Sequence, residues 1–235
     1  IVACMDALRD ANIENPDAII AGTGMGCQED SEQFLEAVIN DKEQFLTPTS
    51  FIQSTHNTVA GQVALMLKCN AYNFTYCHRG FSFENALIDA EITLSENRSK
   101  NILAFGLDEI TAHSRKTFQR IGWSVNEACN PLELLKSDHK GTIYGEGTAS
   151  FVLSENKTEN SYGSIEEIEM LYKPNQIEVE NKLKEIAEKH SIDLVLAGYN
   201  GDPQFDKYYP NLETIFSCAS IGGFKHLVGE YHTAS

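Results

Sequence analysis

Basic residues are scarce in this sequence: 18 Lys and Arg face 34 Asp and Glu, giving a formal net charge of -16 over 235 residues. That balance argues against nucleic acid or an anionic membrane surface as the main partner. No apolar run approaches membrane-spanning length, so the chain reads as soluble. The six cysteines, at positions 4, 27, 69, 77, 129 and 218, form no CxxC and no short paired spacing. This excludes a disulfide framework and predicts reduced, mostly buried thiols in a cytoplasmic protein. The seven histidines do not cluster with the cysteines at metal-ligand spacing, so no structural zinc is expected. A starting Met and a signal peptide are also missing. Ile1 opens directly on an amphipathic pattern, and Ser235 follows a Gly229–Ala234 turn. The expectation is a chain incomplete at both ends.

What is present is enough for a core, with 42% hydrophobic residues. Residues 1–12 place Val2, Met5, Leu8 and Ala11 on one helical face. Ala18–Ala21 is a continuous apolar run, the pattern of a strand buried on both faces. The Gly22–Gly26 loop after it has neither a following Lys-Ser/Thr nor dinucleotide spacing. Close backbone packing accounts for it better than phosphate binding. Asp30 or Ser31 can cap a helix through Phe34, Leu35, Val38 and Ile39, which Thr47-Pro48-Thr49 breaks. Ser54–Asn57 leads into another helix, with Asn57 as its cap or turn residue.

Asn73–Tyr76 reads as a buried strand, and from Gly80 onward Phe83, Leu87, Ile88 and Ile92 fall at helical spacing. Cys77 stands at the corner between them. A cysteine near a helix N-terminus is a sound place for a thiolate nucleophile. A small residue filling a tight corner is the alternative.

Ile102–Gly106 is a further buried-type strand, and 111–139 reads as a polar surface excursion. Thr148–Ser154 alternates as a strand should. A polar connection at 155–162 divides the chain into candidate halves, 1–155 and 156–235. In the second half, Ser164–Tyr172 reads as a strand. Asn175–His190 reads as a charged helix with Ile177, Leu183 and Ile186 as its apolar side. Leu194–Gly198 and Thr214–Ser217 read as strands. Strands alternating with helices predict an α/β fold with a mostly parallel sheet, whose ligands bind where strands end.

The order of motifs then becomes specific. Thr75-Tyr76-Cys77-His78-Arg79-Gly80 resembles the nucleophile corner of the β-ketoacyl synthases of the thiolase superfamily, and Gly141–Gly147 resembles their glycine-punctuated segment. Ala197–Asp202, with Asp206 after it, is similar to their Ala-His-Gly-Thr motif, and Lys225-x-x-x-Gly229-Glu230 to their Lys-x-x-x-Gly-His. Phe51–Asn57 with His78–Ser82 looks closest to a bacterial subgroup linked to aryl-polyene and flexirubin-type pigments. The resemblance implies a thiolase-like α-β-α-β-α layered sandwich of two similar halves, incomplete at both ends. It also implies no bound cofactor, since acyl groups arrive on the phosphopantetheine of an acyl carrier protein.

In that family a cysteine takes the acyl group, and two histidines help stabilise the enolate formed when a malonyl unit loses carbon dioxide. Here Cys77 keeps the nucleophile position, while the two histidine positions hold Gly198 and Glu230. An ionised carboxylate repels an enolate, and only a protonated one donates to it. His78 and His232 are the nearby substitutes, and Asn200 is a possible donor. Lys225 and Glu146 match family positions in which an ion-pair role is expected. The favoured expectation is a non-catalytic, chain-length-factor-like partner of an active ketosynthase, paired through the strand before Cys77. The alternatives are an active 3-oxoacyl synthase using Cys77, and a homodimeric acyl-binding protein. An active enzyme needs a basic rim for its acidic carrier, for which Arg79, Arg115, Lys116 and Arg120 are candidates.

Overall fold

The structure is a computed structural model that describes residues 1–125, 130–136 and 140–233. Cys129 and parts of the expected surface excursion, 126–129 and 137–139, lie outside the described residues, as do Ala234 and Ser235. The chain divides into two compact units, each discontinuous in sequence. Of the described residues, 1–111, 146–168 and 231–233 form the first, and 112–125, 130–136, 140–145 and 169–230 the second.

The first unit is built on a four-stranded sheet. Its strands are β1 (Ala18–Thr23), β2 (Tyr72–Tyr76), β3 (Asn101–Asp108) and β4 (Gly147–Ser154), in the order β2-β1-β3-β4. β1 runs parallel to both neighbours, and β4 pairs antiparallel with β3. Every residue of β1 is buried, as its unbroken apolar run predicts. On one face, Ile19, Ala21, Leu103 and Phe105 pack under α1 (Val2–Asp10) and α4 (Thr58–Leu67). On the other, Ala18, Ile20 and Ile102 pack under α5 (Ser82–Ser95). Burying each large side chain in this sandwich is worth about 1.5–3 kcal/mol.

Several local expectations shift by a face or a turn. The buried side of α1 is Cys4 and Leu8, one turn apart, while Val2 is exposed. α2 (Gln28–Asn40) starts at Gln28, before either expected cap, and no side chain caps it. α2 ends at Asn40, before the expected break at Thr47-Pro48-Thr49, and Pro48 instead opens α3 (Pro48–Gln53), where a proline at the first helical position suits the helix start. α5 presents Ala86, Ala90 and Leu94 to the sheet, with Phe83 packed against them, while Ile92 is exposed. Alanines at that spacing let the helix lie close. β2 is not buried. It bonds to β1 alone, and Tyr72 and Phe74 are exposed on it. Tyr72, Phe74 and Tyr76 instead stack along one face, with successive ring centroids 6.2 and 4.8 Å apart. The expected strand at 164–172 does not form: β-forming residues at Ile165 and Ile168 cannot make a strand when none of the described residues bonds alongside them.

The second unit contains α6 (Ala112–Arg120), α7 (Gln176–Lys189), β5 (Leu194–Ala197), α8 (Leu212–Ile215), β6 (Ser220–Gly223) and α9 (Lys225–Val228). α6 replaces part of the expected irregular excursion and buries Ser114 and Phe118, four residues apart. α7 matches its expected span and begins with a capping box, in which Asn175 and Glu178 bond each other's backbone amides. Its inward side is Val179, Leu183 and Ala187, while Ile177 is exposed. β5 pairs in parallel with β6. Leu194 and Leu196 are exposed, so β5 is buried on one face only. Thr214–Ser217 is not a strand: α8 covers its start, and Phe216 joins the small core of Ala197 and Leu212. Among the described residues no helix is long and apolar enough to cross a membrane.

Candidate functional site

In the first unit, the parallel register sets Gly22 level with Tyr76 and Gly106, so β1, β2 and β3 end together. Cys77 follows Tyr76 directly. The chain does not enter α5 at once but passes through a 3-10 turn, Arg79–Phe81. Arg79 there has a left-handed φ of 52°, a conformation uncommon for a side chain of its size. Ser82 pins the turn. It is fully buried; its Oγ accepts from the His78 N–H at 2.8 Å and lies 2.9 Å from the Thr23 carbonyl and 2.7 Å from that of Arg79. Gly22 allows this approach. A Cβ on it would lie 2.6 Å from the Ser82 carbonyl carbon.

Cys77 is exposed, but desolvation by its surroundings pushes the thiol above its ordinary value of 9.0. The thiolate expected from a helix N-terminus is therefore not favoured, because α5 starts five residues further on. Alkylation of Cys77 by iodoacetamide should still be accelerating as the pH passes 9, followed by peptide mass spectrometry. A rate that levels off by about pH 7 would mean an activated thiolate.

His78 is exposed, and its Nδ1 lies 3.1 Å from the Asn85 Nδ2. His232 packs against the Gly24 loop: a Cβ on Gly24 would lie 2.5 Å from the His232 Cβ. The next residue, Thr233, donates from its N–H to Asp108 and from its Oγ1 to the Arg79 carbonyl. Asp108 also accepts from the Gly24 N–H at 3.1 Å. Glu146 takes the Ile110 amide at 3.1 Å.

In the second unit, Gly198 follows β5 and Asn200 lies two residues beyond it. The Glu230 carboxylate receives Lys225 Nζ at 2.6 Å on one oxygen and Asn200 Nδ2 at 2.9 Å on the other. Both members of the ion pair are 16% exposed at the side chain. The Asn200 Oδ1 accepts from the Asp202 N–H at 3.1 Å, and Asp202 in turn accepts from Gly141 at 3.0 Å. Glu230 is also tied by its backbone, which pairs with Ile143 and Gly145. Tyr209 completes the cluster. Its hydroxyl would lie 2.8 Å from a Cβ at Gly198, and its ring packs 4.5 Å from that of Tyr199. Burial, with the charge of Glu230 behind it, pushes the Tyr209 phenol up to about 12.

Residues 24–136 match the family model of the β-ketoacyl synthase N-terminal domain. The thiolase-like ketosynthase fold extends over nearly the whole chain. A β-ketoacyl synthase from Burkholderia phymatum STM815 superposes with a TM-score of 0.71 at 17% identity, over 97% of this chain and 64% of that one. A type II polyketide ketosynthase solved with its acyl-carrier protein, AntDE:AntF, gives 0.71 at 15%, over 98% and 69%. The ketosynthase from module 6 of the bacillaene synthase of Bacillus subtilis 168 gives 0.62 at 14%, over 97% and 44%. The chain thus spans less than two thirds of the Burkholderia synthase. No curated protein matches it.

Seen as a ketosynthase fold, the first unit brings Cys77, His78 and the His232–Thr233 segment to one corner, and the second brings Gly198, Asn200, Lys225 and Glu230 together. The expected ion-pair role holds for Lys225, whose partner is Glu230. The recorded partner of Glu146 is a backbone amide instead of a cation. Asn200 is both a turn residue and a donor, and its donor goes to Glu230. Sequence reasoning missed Ser82, Asp108 and Tyr209. A carboxylate closing the apolar run 102–107 was a usable signal for Asp108. Nothing local marks Tyr209, which matters only through its approach to Gly198. Among the described residues no group of three or more His, Cys, Asp or Glu is arranged to hold a metal.

Proposed function

We propose that the chain is a ketosynthase-like subunit that does not itself condense, a chain-length-factor-like partner of an active ketosynthase in polyketide or fatty-acid elongation of the aryl-polyene type. The observation that carries this reading is Glu230. Its carboxylate is held by Lys225 and Asn200, so the position resembling the second histidine offers an acceptor that is already occupied and no donor. A developing enolate finds no imidazole there, and Gly198 offers no side chain in place of the first. Each such donor or acid–base group is worth about 10²–10⁴ in rate. The raised Cys77 thiol points the same way.

Pairing would use β2, whose outer edge has no strand partner among the described residues and whose exposed aromatics offer apolar area. The partner is a homologous ketosynthase subunit, with a second copy of this chain as the other arrangement. An acyl carrier protein would approach exposed cations such as Arg79, or Arg115, Lys116 and Arg120 on α6. The expected compartment is the cytoplasm.

The test incubates the purified protein with acyl- and malonyl-carrier protein, alone and with a candidate ketosynthase. Product should require the second subunit and survive Cys77→Ala. Product from this chain alone, abolished by Cys77→Ser, would refute the partner reading and establish an active synthase.

A further inference from the structure

Position 198 is a glycine, yet the space beyond it is filled. A Cβ built there would meet the Tyr209 hydroxyl at 2.8 Å and the Lys225 Cε at 3.3 Å, with the Tyr209 Cζ at 3.9 Å. No left-handed backbone forces glycine at this position, so what excludes a side chain is the phenol. Tyr209 comes from the end of a separate 3-10 turn, Pro203–Tyr208, where its amide bonds the Asp206 carbonyl. Its ring is braced by Tyr199 and joins the core of Ala197, Leu212 and Phe216. Its hydroxyl has no hydrogen-bond partner among the described residues. Glu230, whose charge acts on this phenol, already holds Lys225 and Asn200.

We propose that Tyr209 supplies from the side the hydrogen-bond donor that Gly198 cannot, and that its ligand is the carbonyl oxygen of an acyl thioester. The identity of the ligand rests on the ketosynthase-like reading above; the exchange of side chain between 198 and 209 does not. A phenol suits such a task. It stays protonated across the physiological range, donates one hydrogen bond, and neither takes nor delivers a proton at neutral pH. A subunit equipped this way holds an acyl carbonyl without driving a condensation.

Two measurements test the proposal. The first is a stability cycle. Gly198→Ala should lower the melting temperature by roughly 2–10 °C, the range for overpacking in a chain of this size. The same change in a Tyr209→Phe background should cost much less, because the atom struck is gone, while the Lys225 contact is common to both backgrounds and cancels. Equal losses in the two backgrounds would overturn the exchange.

The second is calorimetric titration with two probes: octanoyl-pantetheine with an amide in place of the thioester, and the octyl thioether that lacks the carbonyl. Tyr209→Phe should weaken the amide probe by roughly 2–10-fold, the range for one neutral hydrogen bond, and leave the thioether unchanged. Wild-type binding of the amide probe that Tyr209→Phe does not alter would overturn the donor role alone. Failure of the wild type to bind either probe would overturn the acyl-binding reading together with it.

Discussion

Lys225→Met should lower the stability of the protein by about 3–5 kcal/mol in urea denaturation. The change removes the cation 2.6 Å from Glu230 and strands a carboxylate that is only 16% exposed. Asn200 remains, but one amide donor cannot neutralise a charge. Against a total of about 5–15 kcal/mol for a typical domain, such a loss is a large fraction. Lys225→Met combined with Glu230→Leu should recover most of it, since replacing both partners by apolar groups is often near neutral. The outcome bears on function as well as stability. A single-variant loss below about 0.5 kcal/mol would mean that Lys225 contributes no more than a screened surface pair. The carboxylate would then not be fixed by the pair, and the main argument against condensation would weaken.

Asp108→Ala should cost about 2–4 kcal/mol, and its effect should be local before it is global. Asp108 is 6% exposed at the end of β3, where its two oxygens accept from the Gly24 and Thr233 amides. Those amides belong to the loop after β1 and to the segment that crosses the Cys77 turn. Removing the carboxylate leaves both donors unsatisfied in a buried place. Hydrogen exchange at Gly24 and Thr233 should accelerate under conditions in which the Ile19 and Leu103 amides stay protected. Asp108→Asn keeps one acceptor and should show a smaller loss. Unchanged exchange at both amides in Asp108→Ala would contradict this assignment.

These two residues also mark how far the sequence could be read. The apolar runs of β1 and β3 declared themselves, because strands buried on both faces need no partner information to be recognised. α7 was legible to within a residue at each end, because its determinants, the charged run and the Asn175–Glu178 capping box seen in the structure, are local. The Cys77 corner was legible as an order of motifs. Its chemistry was not, since the thiol is governed by desolvation and by a 3-10 turn that delays α5. Failures came where the deciding contact is distant in sequence. Ser164–Tyr172 alternates as a strand would, but no strand among the described residues pairs with it. Thr214–Ser217 has β-forming residues, yet Leu212 and Phe216 are needed in the core beside Ala197, and a helical turn puts both there. Gly198 read as an empty position because Tyr209, eleven residues on, is invisible as its neighbour until the chain is folded.

The placement of β1 at the centre of its sheet also has a consequence for synthesis. Ile19 and Ile20 leave the ribosome before the strands that flank them, which end at Tyr76 and Asp108. At about 5–20 residues per second, the 85 residues from Thr23 to Asp108 take roughly 4–17 s to make. For that interval the most apolar strand of the first unit lacks at least one of its two hydrogen-bonding neighbours, and α5, which covers one of its faces, is made only after β2. Yield in the cell should therefore respond to chaperone supply during those seconds more than to the final stability of the sheet.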